Sequence, residues 1–213
     1  RDEEPANIQS AIRNPQFAIY MTLPNLLAFA RIGVTFVIMG LLVVPGTFAK
    51  ALALALFLLA ALSDWLDGWI ARRYGQTSAL GALLDPIADK VLVLGLLVTF
   101  VQLGLVDAWM GVVIMIRELG ITAVRLYAAH REIVIAAERA GKNKTISQML
   151  TIIVALAGLV LRELIHPEQA SAFDARMSVA VLACMWVAVA LTVYSGVMFL
   201  WRNRRFLLDE ASR

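Results

Sequence analysis

Apolar runs alternate with short polar segments along this chain, regularly enough to place helices before any other property is weighed. The runs cover approximately 22–44, 49–72, 81–104, 107–130, 143–165 and 174–201. Each is longer than the roughly 18 residues that a helix rising 1.5 Å per residue needs to cross a ~30 Å hydrocarbon layer. Gly and Pro punctuate the gaps at Pro45-Gly46, Gly75 and Pro167. The pattern predicts an all-α membrane protein with six transmembrane helices, in one domain over 22–205 with a short tail at 206–213. Segment 1–21 is polar but carries Ile8, Ile12, Phe17 and Ile19. It reads equally as an N-terminal interfacial helix lying along the membrane surface or as a tail.

Composition strengthens the membrane reading. Of 213 residues, 61% are hydrophobic and 16% charged, against about 45–50% and 25% in a soluble domain. The formal net charge of +3 is carried in short segments between apolar runs, so it orients the chain and does not point to nucleic acid. Arg72 and Arg73 follow the second run, Arg131, Arg139, Lys142 and Lys144 separate the fourth from the fifth, and Arg202, Arg204 and Arg205 follow the sixth. The opposite connections hold Lys50, Asp107, and Arg162 and His166 with two glutamates. Positive segments stay in the cytoplasm, which puts both termini there. Trp65, Trp69, Tyr74 and Trp201 lie toward the same side, as an aromatic belt would. The single cysteine, Cys184, sits in an apolar run and forms no disulfide within the chain.

The second run ends Ser63-Asp64-Trp65-Leu66-Asp67-Gly68 and the third opens Gly81-Ala82-Leu83-Leu84-Asp85-Pro86-Ile87-Ala88-Asp89-Lys90. At 100° per residue, Asp64 and Asp67 fall within about 60° of each other on a helix, and Asp85 and Asp89 within about 40°. A short turn joins the two helices, which predicts antiparallel neighbours whose aspartate pairs face each other. Carboxylates in a membrane are costly unless compensated, and four together raise one another's pKa values. A salt-bridge network with Arg72, Arg73 and Lys90 would compensate them. Two Mg²⁺ or Mn²⁺ ions would do so more fully, because hard cations prefer oxygen ligands and share their shell with substrate phosphates. Two such ions about 3.5–4 Å apart can clamp a diphosphate and stabilise its leaving group. Gly68 and Gly81 leave the backbone uncovered beside the aspartates.

The stretch matches Asp-x2-Asp-Gly-x2-Ala-Arg-x8-Gly-x3-Asp-x3-Asp at every fixed position, through Asp64, Asp67, Gly68, Ala71, Arg72, Gly81, Asp85 and Asp89. It resembles the signature of the CDP-alcohol phosphatidyltransferases, whose six-helix membrane fold also suits the hydropathy. The resemblance implies that Asp64, Asp67, Asp85 and Asp89 hold two metal ions, with Asp89 also the general base for the acceptor hydroxyl. It implies a donor site bordered by Gly68, Ala71, Gly81 and Arg72, which Asn25 and Arg31 of the first run would join. The implied reaction is attack by a hydroxyl on the lipid-side phosphorus of CDP-diacylglycerol, releasing CMP. The implied setting is a homodimer in the bacterial cytoplasmic membrane with its active site toward the cytoplasm.

A second polar set follows. Arg117 and Glu118 interrupt the fourth run, Arg125 lies about 12 Å further along it, and Lys142 and Lys144 open the fifth. Arg117, Arg125, Lys142 and Lys144 are candidates to bind a phosphate on the acceptor alcohol. The same residues also read structurally, with Arg117 pairing to Glu118 or another helix and the two lysines anchoring at the interface. Asp85-Pro86-Ile87-Ala88-Asp89-Lys90, Ile116-Arg117-Glu118 and Gly141-Lys142-Asn143-Lys144-Thr145 together resemble the bacterial phosphatidylglycerophosphate synthase branch. That resemblance implies glycerol 3-phosphate as the acceptor; inositol phosphate and serine are the rival acceptors. A divalent-cation or proton-coupled transporter is the rival from another class. It fits less well, because the aspartates cluster at one end of the helices and no inverted repeat is evident. His130 and His166, each alone near a helix end, read as solvated or capping groups, and Tyr194 and Ser195 as hydrogen-bonding groups within the bundle.

Overall fold

The computed structural model describes residues 23–74, 79–131 and 139–204, with the backbone alone at 23–25, 27, 64–74, 79–86, 129–130 and 139–142. Among the described residues the chain is entirely helical: α1 Leu23–Val43, α2 Thr47–Tyr74, α3 Ala79–Gln102, α4 Ala108–His130, α5 Arg139–Leu164 and α6 Pro167–Arg202. These are the six runs of the hydropathy pattern, with two shifts. Helix α5 starts four residues before its apolar run, at Arg139. Helix α6 starts at Pro167 instead of 174, because proline's fixed φ and missing N–H suit the first helical position. Segment 1–21 lies outside the described residues.

Local chemistry ends the helices where the pattern stops. After α3, Leu105 N–H donates to the Phe100 carbonyl (2.9 Å) and Gly104 N–H to Val101 (3.0 Å), with Gly104 at φ 70°. That pair of bonds is a Schellman closure, and its left-handed residue favours glycine. At the end of α1, Lys50 reaches back from the first turn of α2. Its Nζ donates to the carbonyls of Leu42 and Val44, covering acceptors that the helix leaves unsatisfied.

One continuous core joins the helices. Ile38 and Leu42 of α1, Phe57 of α2, Leu92, Leu96 and Phe100 of α3, Met110 and Ile114 of α4, Ile152 and Leu156 of α5, and Val181 and Met185 of α6 are all buried in it. Close approach depends on small residues. A Cβ on Gly158 would stand 2.8–2.9 Å from the Met177 side chain, and one on Gly95 would meet Thr35 Cγ2 at 3.0 Å. In hydrocarbon, where apolar burial drives little, such packing supplies the association. The outward faces are apolar as well, with Phe36, Phe48, Ile116, Val179 and Val197 exposed. By length and composition, Asn143–Leu164 and Pro167–Arg202 each suffice to cross a membrane among the described residues, and Ala28–Val43 and Thr47–Ser63 are shorter apolar helices. Helix α4 carries Arg117, Glu118 and Arg125, and these charges are where its interest lies.

Over the described residues α2 packs on α1 and α5, and α3 on α1, α4 and α5. The expected facing of the two aspartate pairs involves side chains and a turn that lie outside the described residues.

Candidate active site

Polar residues recur on α5 at Lys144, Gln148 and Thr151, spaced by four and then three, and all three are buried. That spacing is one helical face, so α5 presents a polar stripe to the inside of an otherwise apolar bundle. Helix α6 answers with Thr192 and Ser195, also buried and three apart. Gln148 Nε2 donates to Thr192 Oγ1 at 3.2 Å. Within α5, Ser147 Oγ donates to the Lys144 carbonyl (2.7 Å) and Thr151 Oγ1 to that of Ser147 (2.9 Å).

Glu118 of α4 is the centre of this layer. It is 3% exposed and accepts from three cations on three helices. Lys90 Nζ of α3 lies 2.7 Å from Oε2, Arg117 Nη1 lies 3.2 Å from Oε1, and Lys144 Nζ of α5 also bonds Oε1. A buried carboxylate without partners would cost far more than one that is paired and hydrogen-bonded. Arg117 extends the network to α6, where its Nη2 donates to Ser195 Oγ at 2.8 Å. Gly196 makes room for that reach, because a Cβ there would stand 3.2 Å from Arg117 Cγ.

Asp89 joins the layer through its neighbour. Lys90 Nζ is 3.8 Å from Asp89 Oδ2, and the Asp89 carboxylate is about one-third exposed. Asp89, Lys90, Glu118, Lys144 and Gln148 line one narrow cleft between α3, α4 and α5. The cleft thus brings one carboxylate of the aspartate signature beside a cluster of cations. Outside it, an open apolar groove of about 450 Å³ runs between α4 and α6, with Arg117, Gly120 and Gly196 on its walls.

The candidate residues divide accordingly. Arg117 and Lys144 come together on Glu118, and Lys144 is buried, which excludes the reading of it as an interfacial anchor. Arg125 does not join them; it lies over the Phe199 ring, 5.4 Å from the centroid. Arg31 is buried on α1, its carbonyl accepting from Thr35 Oγ1 at 2.8 Å. The backbone places Asp64, Asp67, Gly68, Ala71 and Arg72 in the last turns of α2, and Gly81 and Asp85 in the first turns of α3. Their side chains, with those of Asn25 and Lys142, lie outside the described residues. Ser195 hydrogen-bonds within the bundle, as its sequence context suggests, whereas sequence reasoning undervalued Glu118, Gln148 and Thr192. The polar stripe on α5 was the available signal.

The pattern of the CDP-alcohol phosphatidyltransferase family matches residues 21–198, which span all six helices. The chain belongs to this family. Among its relatives is the CDP-diacylglycerol–glycerol-3-phosphate 3-phosphatidyltransferase of Bacillus subtilis (strain 168), 36% identical over 85% of this chain and 94% of that protein. A Haemophilus influenzae protein of the same name is 36% identical over 73% of this chain and 78% of its own length. The cardiolipin synthase (CMP-forming) of Oryza sativa subsp. japonica is 31% identical over 88% of this chain and 59% of that protein. As a CDP-alcohol phosphatidyltransferase, the chain carries its aspartates in the last turns of α2 and the first turns of α3. Lys90, Arg117 and Lys144 converge on Glu118 near Asp89.

Proposed function

We propose that this phosphatidyltransferase moves the phosphatidyl group of CDP-diacylglycerol to glycerol 3-phosphate, giving phosphatidylglycerophosphate and CMP. The observation that carries the acceptor is the meeting of Arg117 and Lys144 on Glu118, at the cleft that Asp89 lines. Counted with Lys90 against Asp89 and Glu118, the set keeps one positive charge in excess, which suits an acceptor that brings its own phosphate. The names of the bacterial relatives support the same acceptor.

In this reading Asp89 accepts the proton of the acceptor hydroxyl as its oxygen bonds to the lipid-side phosphorus. The bond from that phosphorus to the bridging oxygen breaks, and CMP leaves with the electron pair. Asp64, Asp67, Asp85 and Asp89 would hold two Mg²⁺ or Mn²⁺ ions; an all-carboxylate donor set suits them. Bound there, such ions would neutralise the diphosphate and stabilise the departing CMP. Asn25, Arg31, Gly68, Ala71, Arg72 and Gly81 would border the donor. Arg117 and Lys144, joined by Lys142 from the cytoplasmic half, would orient the acceptor phosphate.

The chain would work as a homodimer with six spans in the bacterial cytoplasmic membrane, both termini and the active site toward the cytoplasm. In a Cys184→Ala background, Gly75→Cys, Arg139→Cys and Arg204→Cys should label from one side and Thr47→Cys and Glu168→Cys from the other. Labelling of position 139 together with position 47 would break the six-span arrangement. The acceptor is tested by CMP release from CDP-diacylglycerol in the presence of glycerol 3-phosphate, inositol phosphate, serine or phosphatidylglycerol. Glycerol 3-phosphate should be used best. Preference for another alcohol would overturn the acceptor and leave the transfer chemistry standing.

A further inference from the structure

Lys90 has two carboxylates within reach and sits with one of them. Its Nζ lies 2.7 Å from Glu118 Oε2 but 3.8 Å from Asp89 Oδ2. The first is a charge-assisted hydrogen bond; the second is a loose ion pair. Consecutive helix residues project about 100° apart, but the long stem of Lys90 still brings its ammonium within reach of Asp89. Glu118, one helix over and buried, holds that ammonium instead. Its two oxygens divide the work: Oε1 is held by Lys144 and Arg117, which leaves Oε2 turned to Lys90. Arg117 on its own helix and Lys144 on α5 fix the carboxylate, so the lysine comes to it.

An ammonium closed onto Asp89 would compete for the oxygen lone pairs that have to hold a metal ion and accept the acceptor's proton. Resting on the reading of Asp89 as the base, we propose that Glu118 is a positioning residue for the transfer, drawing Lys90 off Asp89 and holding it against the α4–α5 contact. This role lies outside the aspartate signature. It also accounts for a buried acidic residue in the middle of a cationic set that an acceptor phosphate would otherwise prefer undiluted.

The test compares kcat for CMP release by purified protein, with CDP-diacylglycerol and whichever alcohol the wild type uses best. Glu118→Gln keeps the shape and removes the charge, which frees Lys90 to close on Asp89. Its kcat should fall at least about tenfold, toward the ~10²–10⁴ that loss of a general base costs, with little change in KM for CDP-diacylglycerol. Adding Lys90→Met to that variant removes the competing ammonium and should restore kcat at least about tenfold. Glu118→Asp should stay nearer the wild type than Glu118→Gln. Thermal unfolding of each protein separates these effects from stability, because a purely structural role would make kcat per folded molecule indifferent to Lys90. Wild-type kcat in Glu118→Gln, or a double variant no faster than Glu118→Gln, overturns the proposal. Should Glu118→Gln not fold, Lys90→Met alone decides: kcat should stay within about tenfold of the wild type, and a larger loss would make Lys90 itself the working group. The variants share one acceptor, so a wrong acceptor assignment would leave these ratios intact.

Discussion

Among the described residues the bundle buries lysines at two places, and their partners differ in kind. Lys50, at the start of α2, is 7% exposed and donates to the Leu42 and Val44 carbonyls at the end of α1. Lys144, near the start of α5, is 3% exposed and bonds the Glu118 carboxylate beside Lys90, Arg117 and Asp89. Burial alone does not separate them. Lys50 completes a helix end, where partial negative charge on free carbonyls favours a cation, and the field of the Glu163 carboxylate acts on it from α5. Lys144 belongs to a bonded set of charges drawn from three helices. A lysine satisfied by backbone reports on architecture; a lysine satisfied within a crowd of titratable side chains reports on chemistry.

That contrast can be broken at either lysine or at the aspartates beyond them. The largest effect is expected at the aspartates. Chelation should abolish CMP release. Asp64→Asn, Asp67→Asn and Asp85→Asn should lose metal binding and activity together. Asp89→Asn should lower kcat by roughly 10²–10⁴ with donor binding kept. Full activity in Asp89→Asn would remove that residue from the mechanism.

Next come the cations bound to Glu118. Lys144→Ala or Arg117→Ala removes a charge-assisted contact worth about 1.5–3 kcal/mol, so KM for glycerol 3-phosphate should rise roughly ten- to a hundredfold while that for CDP-diacylglycerol hardly moves. Arg125→Ala, whose guanidinium lies over Phe199, should change the same constant far less. If Arg125→Ala were the more damaging variant, the acceptor phosphate would have to sit nearer the α4–α6 groove than the Glu118 cleft.

The other lysine should behave in the opposite sense. Lys50→Met leaves two carbonyls at the end of α1 without their donor, a cost of about 1–3 kcal/mol. Thermal unfolding in detergent should show that loss, and kcat per folded molecule should match the wild type. A selective loss of kcat in Lys50→Met would erase the distinction drawn between the two sites. The smallest effect belongs to Arg162 and Asp174, whose side chains pair at 2.5 Å while 40% and 48% exposed. Arg162→Gln should cost under about 1 kcal/mol, because exposed pairs are screened and entropically expensive to hold.

The extents of the helices and the aspartate signature could be read from the chain itself, because both are properties of spacing along it. An apolar run of sufficient length is a helix in hydrocarbon whatever lies beside it, and Asp64, Asp67, Asp85 and Asp89 share faces by helical geometry alone. The exact starts of α5 and α6 were less legible, since polar residues that continue a helix leave no break in the apolar pattern. Which cations gather on Glu118 was decided only by the tertiary structure. Arg117, Arg125 and Lys144 look alike in sequence, yet Glu118 gathers the first and third while Phe199 takes the second. Ser195, Gln148 and Thr192 acquire their partners the same way. Such pairings depend on how far each helix is rotated and slid against its neighbours. The fit of buried side chains such as Leu96, Phe100, Ile114 and Leu156 sets those two quantities, and nothing in the spacing of charges along a single helix encodes them.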